Sequence, residues 1–135
     1  MNVKLLDKVK KEILKEPERF LMDGWSRPIG KGKTCTTAFC IGGWAVALSS
    51  KKDLRKASGG FLPTDSAFDY VSTAAKLLRL DPDQAHRLFC SQEWPASYEK
   101  IFSMLENEGL VGTDAAAKIA ARRIDFFITT NGDDD

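Results

Sequence analysis

The stretch that decides the fold is CIGGWAVALSS, residues Cys40 to Ser50. It is compact and apolar, which predicts a short helix buried by its neighbours. Glycine in a helix interior costs roughly 1 kcal/mol relative to alanine, unless another backbone passes close by. Gly42 and Gly43 therefore predict close packing of this helix against a neighbour, with Trp44 as its large core residue.

Helical spacing of apolar residues predicts another helix near the N-terminus, followed after Pro17 by a short piece to about Met22. The predicted inward positions of the first helix are Val3, Leu5, Leu6, Val9, Ile13 and Leu14. Lysines occupy the opposite side. From Asp23 to Phe39 the chain is rich in Gly, Pro, Lys and Thr, which predicts a loop.

Start and stop signals mark the helices of the second half. Asp81-Pro82-Asp83-Gln84 predicts a capping box with proline at the first helical position. Trp94-Pro95 opens the next helix, Gly109 stops it, and Thr113 caps the last. Before them, Thr64 or Asp65 caps a further helix. The predicted inward positions are Phe68, Val71, Ala75, Leu78, Ala85, Leu88, Phe89, Tyr98, Ile101, Phe102, Leu105, Ala120, Ile124, Phe127 and Ile128.

These patterns predict an all-α fold. No segment alternates apolar and polar residues for long enough to predict a strand. The 135 residues suit one ordinary domain with a core of its own. We expect a single compact domain of five or six short helices over residues 1–130, followed by an acidic disordered tail at 131–135.

Composition narrows the cellular setting. No apolar run approaches the roughly 20 residues of a membrane span, and the N-terminus lacks the continuous apolar stretch of a secretory signal. Three cysteines is an odd count that fits a disulfide framework poorly, so we expect a cytoplasmic protein and no membrane contact. Net charge is +1, yet residues 1–56 hold 13 Lys and Arg against 6 Asp and Glu, so the two halves differ in sign.

The segment before the buried helix contains Gly32-Lys33-Thr34, which resembles the end of a phosphate-binding P-loop. A P-loop requires a glycine five positions before Gly32, and Arg27 stands there. No hydrophobic strand precedes it either. The triplet therefore does not predict a nucleotide site.

The cysteines leave three interpretations open. Cys40 at a helix start could be a nucleophile with His86, the chain's one histidine, as its base. A zinc site could use Cys35, Cys40, His86 and Cys90, since His86 and Cys90 are four apart and share a helix face. The interpretation we favour is structural, with Cys40 as a small residue filling a tight space.

The segment Cys35-Thr36-Thr37-Ala38-Phe39-Cys40-Ile41-Gly42-Gly43-Trp44-Ala45 resembles a Cys-Gly-Thr-x-x-Cys-Ile-Ala-Gly-Trp-Ala signature. That signature recurs in small proteins of bacteria, including actinobacteria, and of their phages. Ala74 to Leu80, Leu88-Phe89 and Trp94-Pro95 extend the likeness. The resemblance implies bacterial or phage origin, and it assigns no activity. It leaves Cys35 and Cys40 as a pair that is either redox-linked or packed together.

Three functions remain at this stage, and for the favoured one we expect no cofactor. The first is a non-enzymatic module that binds a protein partner or itself, with Trp25, Trp94 and Tyr98 as candidate interface anchors. The second is a nucleic-acid-associated protein with a basic patch. Its members are Lys4, Lys8, Lys11, Lys15, Lys31 and Lys33. The third is the zinc-binding or thiol-dependent protein above, so an enzyme is the less favoured class.

Overall fold

The computed structural model of the protein describes residues 1–22, 27–29, 36–38, 40–49 and 67–133. Within these ranges the chain forms six α-helices, which confirms the all-α prediction. They are α1 (Val3–Lys15), α2 (Ile41–Ser49), α3 (Ala67–Leu78), α4 (Pro82–Phe89), α5 (Ala96–Asn107) and α6 (Asp114–Thr129). The described helices lack the length and apolar character needed to cross a bilayer.

Short elements fill the connections between the helices. A 3-10 helix at Pro17–Arg19 replaces the longer piece predicted to reach Met22. A second one covers Ser91–Glu93. Two three-residue strands, β1 (Arg27–Ile29) and β2 (Thr36–Ala38), pair antiparallel with Arg27 opposite Ala38. Strands of this length are too short to show an alternating pattern, so they were not predicted and the segment was expected to be a loop.

Helix α2 lies at the centre of the molecule, as its composition predicted. Every residue from Ile41 to Ala47 is buried, including both glycines. The helix packs against α1, α3 and α4, while α6 contacts α1 and α5. Burial of Gly42 and Gly43 agrees with the close approach that two helix glycines require.

Aromatic side chains join the second half of the chain to the first. The Phe102 ring meets Trp94 at 5.0 Å and Phe20 at 6.2 Å between centroids, both edge to face. All three residues are buried. This arrangement anchors α5 to the segment that follows α1, since aromatic pairs of this geometry add to the free energy of burial.

The predicted capping box at the start of α4 is present. The Asp81 carboxylate accepts the Gln84 backbone N–H at 2.8 Å, and the Gln84 side-chain oxygen accepts the Asp81 N–H at 3.1 Å. Thr113 does occupy the N-cap position of α6, but its hydroxyl donates to the Leu110 carbonyl at 2.6 Å and makes no cap bond. The Thr113 hydroxyl therefore stabilises the turn before α6 and does not cap the helix.

Three helices end in the same way, with one residue in the left-handed conformation. Gly109 ends α5 at φ +71°, as predicted. Arg79 ends α3 at φ 56° and Asn131 ends α6 at φ 53°. At each end the following N–H bonds back five residues, for example Leu80 to the Ala75 carbonyl at 2.9 Å. At the end of α3, this hydrogen bond holds Arg79 in a backbone conformation that a non-glycine residue disfavours.

Several predicted inward positions are exposed. Val3, Leu14, Val71 and Ile101 are on the surface, whereas Leu5, Ala74 and Phe102 are buried in the same helices. The stripes predicted from spacing were wider than the area that neighbouring helices cover. The described side chains at the remaining predicted positions are buried or partly buried.

Both ends of the described chain contact the α3–α4 hairpin, which is residues 67–89. Asn2 donates its backbone N–H to the Leu78 carbonyl at 2.8 Å and its side-chain amide to Leu77 at 3.0 Å. Arg87 donates to the Gly132 carbonyl at 2.6 Å. Residues 131–133 of the predicted tail are described beside α4, and residues 134–135 lie outside the described ranges.

Candidate functional site

An open groove of about 470 Å³ runs between α3 and α4. The local sequence forms its walls, because Arg79 reverses the chain after α3 and Asp81 caps α4 three residues beyond Leu78. Its apolar lining consists of Val71, Ala75, Leu80, Pro82, Ala85 and Phe89. Its polar lining consists of Ser72, Lys76, His86 and Cys90. Alanines at two lining positions leave space that larger side chains would fill.

Cys90, His86 and Glu93 form a row at one edge of this groove. Cys90 Sγ lies 3.7 Å from His86 Nδ1, and His86 Nε2 lies 3.8 Å from a Glu93 carboxylate oxygen. The first two share a face of α4, as the spacing predicted, and the 3-10 helix after Cys90 brings Glu93 back beside the imidazole. A thiol, an imidazole and a carboxylate are therefore adjacent at the surface.

This row is not built as an activated nucleophile. Burial raises the pKa of the Cys90 thiol above its ordinary value, and the Glu93 carboxylate raises it further. Cys90 also follows the last residue of α4, at the helix end whose partial negative charge disfavours a thiolate. A reactive cysteine requires the opposite surroundings. The thiol is protonated at neutral pH.

Cys40 is equally unsuited to the nucleophile role considered with His86. Its side chain is 3% exposed, and its sulfur accepts the Gly43 backbone N–H at 3.3 Å. Burial raises the pKa of the Cys40 thiol to about 12, against the lowering effect of that backbone hydrogen bond. His86, in contrast, is exposed. The structure thus corrects the Cys40–His86 hypothesis and agrees with the packing role of Cys40.

The four-residue zinc set is not assembled in the described part of the chain. Cys35 lies outside the described residues, and the Cys40 sulfur is buried against α2. Over residues 1–22, 40–49 and 71–133, no three His, Cys, Asp or Glu side chains are grouped to hold a metal ion. Only His86 and Cys90 of the predicted set are shown side by side.

The predicted interface anchors separate into different environments. Trp94 is buried, and its indole N–H donates to the Leu88 carbonyl at 2.9 Å. It belongs to the core, because the indole both fills space and satisfies a helix carbonyl. Tyr98 is partly buried with its ring 5.6 Å from Phe126. Trp25 lies outside the described residues.

The predicted basic patch is described in part. Lys4, Lys8, Lys11 and Lys15 are all exposed along α1, whereas Lys31 and Lys33 lie outside the described ranges. Lys10, beside this row, bonds to Asp125 of α6 at 2.7 Å. That hydrogen bond raises the pKa of Lys10. The outer face of α1 therefore presents a line of lysines at spacing suited to one helix side.

Sequence reasoning missed the groove and missed Glu93. The positions 86, 90 and 93 continue helical spacing past the end of α4, which was a usable signal for Glu93. The groove had no such signal, since its width depends on how two helices pack. Comparison with known protein families, curated proteins and solved structures finds no match. The resemblance to the bacterial and phage group therefore stays a prediction.

Proposed function

We propose that the protein is a non-enzymatic interaction module that holds an amphipathic helix of another protein in the α3–α4 groove. The observation that carries this proposal is an apolar groove of about 470 Å³ left open to water. Burying apolar surface is worth roughly 25 cal/mol per Å², so such a surface favours an occupant. The protonated thiols of Cys40 and Cys90 support a role without catalysis.

The length of the groove suits a helical occupant. Its lining on α3 runs from Val71 to Lys76, which is about 7.5 Å at the rise of an α-helix, and Leu80 in the turn after α3 extends it. Apolar anchors at i, i+3 or i+4, and i+7 span roughly 10 Å of a bound helix. A two-turn apolar stripe on a partner would therefore match the lining from one end to the other.

Charged side chains near the groove favour one orientation of the bound helix over the other. Lys76 lines the groove, and Arg79 stands at the adjoining turn, both exposed on the α3 side. An acidic residue on that flank of the partner helix complements them, while Glu93 on the α4 side repels it. Exposed pairs contribute only about 0–1 kcal/mol each, so they orient the helix more than they hold it.

The cytoplasm is the compartment that we propose for this binding. Among the described cysteines, Cys40 and Cys90 are free thiols. Free thiols persist in reducing compartments, and binding of a partner helix in the groove needs no disulfide and so no oxidising environment. Cell fractionation of the native host tests this part independently of any partner.

The test is selection of helical peptides from a randomised library against the full chain, followed by fluorescence-anisotropy titration. Val71→Lys places a charge in the groove, at a side chain that is 37% exposed. Leu14→Lys is the matched control, because Leu14 is 42% exposed on α1, away from the groove. We expect Val71→Lys to weaken selected peptides at least about tenfold, since a charge in an apolar groove costs over 1.4 kcal/mol. The control should leave affinity unchanged.

Three outcomes would overturn the proposal. The first is equal loss of affinity in Val71→Lys and Leu14→Lys, which would put the binding surface elsewhere. The second is binding of small apolar molecules in the groove with no helical peptide selected. The third is concentration-dependent dimerisation that Val71→Lys abolishes, which would make a second copy the occupant.

Nucleic-acid binding is a second candidate, supported by the four exposed lysines along α1. Neutralising four phosphates would give a slope of about −3.6 in log affinity against log salt. Affinity for duplex DNA should then fall about 150-fold between 50 and 200 mM salt. Lys8→Glu should abolish the electrophoretic shift, and Lys100→Glu, an exposed lysine on α5, is the control. No shift at 50 mM salt would reject this candidate.

A further inference from the structure

We propose that α1 and α6 form one basic surface that binds the phosphate backbone of a double-stranded nucleic acid, with Lys118 and Arg122 of α6 contacting phosphates beside the lysine row of α1. That row is Lys4, Lys8, Lys11 and Lys15. The inference rests on nucleic-acid binding by α1, the second candidate function, and adds the part of the surface that α1 alone does not supply. It is independent of what occupies the α3–α4 groove.

Helices α1 and α6 pack against each other in opposite directions. Lys10 Nζ, in the middle of α1, lies 2.7 Å from an Asp125 carboxylate oxygen in the second half of α6. A Cβ added to Gly112, just before α6, would lie 3.6 Å from the Cα of Glu18, just after α1. The start of α6 is therefore beside the end of α1, and the two helices run antiparallel.

Exposed cations of α6 extend the lysine row of α1. Lys118, Arg122 and Asp125 are spaced i, i+4 and i+7, so they share the side of α6 on which Asp125 contacts Lys10. Both cations are exposed. The antiparallel arrangement places them level with the second half of α1. The exposed lysines of that half are Lys11 and Lys15.

The carboxylates where the two helices meet leave most of this positive charge available. Lys10 lies 2.7 Å from Asp125 and 3.7 Å from Asp7, so it holds both carboxylates between the helices. Within the described ranges, four other cations of the pair lie more than 4 Å from any carboxylate oxygen, namely Lys11, Lys15, Lys118 and Arg122. Together α1 and α6 hold eight Lys and Arg against four Asp and Glu, whereas the net charge of the whole chain is +1.

The dimensions of this surface suit a duplex. From Lys4 to Lys15 the lysine row is about 17 Å long at the rise of an α-helix, which equals about five base pairs at 3.4 Å each. The axes of packed helices are about 8–10 Å apart, so the two helices can contact phosphates on both sides of a groove about 6–12 Å wide. Phosphate contacts carry no sequence information, and we therefore expect similar affinity for duplexes of different sequence.

A lipid bilayer fits the same surface less well. The apolar stripe of α1 is committed to the core of the protein, since Leu6, Val9 and Ile13 are fully buried. Its exposed large apolar side chains, Val3 and Leu14, stand at opposite ends of the helix. A helix that lies in a membrane interface inserts a continuous apolar face between the lipids. The surface therefore offers the charge that an anionic partner requires and lacks the apolar face that a membrane requires.

The probe is a labelled DNA duplex titrated with the full chain at several salt concentrations from 50 to 200 mM, followed by fluorescence anisotropy. Six cations on phosphates predict a slope of about −5.4 in log affinity against log salt, and a fall in affinity of about 1,800-fold over this range. The four lysines of α1 alone predict a slope of about −3.6. Lys118→Ala and Arg122→Ala should each make the slope about 0.9 less steep.

Two controls separate charge from helix structure. Lys118→Arg keeps the positive charge and should keep the slope of the wild type. Lys100→Ala removes an exposed lysine from α5, outside the helix pair, and should leave the slope unchanged.

The possible outcomes distinguish this inference from the candidate function on which it rests. A wild-type slope of about −3.6 that Lys118→Ala and Arg122→Ala leave unchanged would confine binding to α1 and overturn the inference alone. Absence of binding at 50 mM salt would reject both. An equal change of slope in Lys100→Ala and Lys118→Ala would overturn the assignment to α6. Capture of the chain by vesicles of phosphatidylserine and phosphatidylcholine, with no duplex bound, would make the partner a membrane and overturn it as well.

Discussion

The sharpest test of the buried-helix interpretation is the alkylation rate of Cys40 in the folded protein. Burial raises the pKa of this thiol to about 12 from an unperturbed value of 9.0. Three units reduce the thiolate population at neutral pH about 1,000-fold. A more basic thiolate is also more nucleophilic, which returns about a factor of 20. Ionisation alone therefore predicts alkylation about 50-fold slower than for the same thiol in the unfolded chain.

Burial of the sulfur adds to this protection, since Cys40 is 3% exposed. The assay is iodoacetamide pulse labelling at pH 7.5 with and without urea, read by mass spectrometry of the Cys40 peptide. The unfolded chain supplies the reference rate for the same sequence. Labelling in the native protein within a factor of ten of that reference would refute the reasoning, and with it the structural role assigned to the segment.

The same pKa makes stability depend on alkaline pH. Between pH 9 and 12 the unfolded chain releases a thiol proton that the folded chain retains, so the free energy of unfolding falls as pH rises. The contribution is complete below pH 9, and about 2 kcal/mol of it is lost between pH 8 and 10.5. Urea unfolding at these two pH values measures the loss. Cys40→Ala lacks the thiol and should lose about 2 kcal/mol less than the wild type over this interval.

Two further predictions concern packing and backbone conformation, and urea unfolding measures both. Trp94→Phe should lower the free energy of unfolding by about 2 kcal/mol, because it leaves the buried Leu88 carbonyl without its donor and leaves a cavity. Phe102→Leu, which leaves a cavity but removes no hydrogen bond, should lower the free energy of unfolding by less. Gly109→Ala should lower the free energy of unfolding by about 1 kcal/mol, because φ at this position is +71°. No neighbour lies within 4 Å of the new Cβ, so the backbone conformation alone causes this loss. Arg79→Gly, at φ 56°, should stabilise by about 0.5 kcal/mol. Shifts of the same sign in the last two variants would contradict the backbone argument.

Local signals predicted the parts of the fold that depend on a few neighbouring residues. The capping box of α4 involves Asp81 and Gln84, three positions apart, and both of its bonds are present. Helix α2 was recognisable because every side of it is apolar. Helix α5 ends at Gly109 because glycine adopts a positive φ without strain. Helix α3 ends in the same conformation at Arg79, but there the end depends on hydrogen bonds that the residue type does not predict.

The remaining features depend on how the helices meet. Spacing assigned Val71 to the core, yet only the packing of α3 against its neighbours decides that Ala74 is buried instead. The groove exists because of that same packing. Of the candidate site, His86 and Cys90 were predicted to share a face, while Glu93 joins them through a turn that follows the helix. Distances of this kind are properties of the folded chain.

The attachment of residues 2 and 132 to one helical hairpin has a consequence for rearranging the gene. Asn2 binds the end of α3, and Gly132 binds Arg87 in α4, so the two positions are held by neighbouring parts of the same hairpin. A short flexible linker could then connect them, and new ends could be opened at the exposed turn around Gly109. Such a circular permutant would keep all six described helices intact.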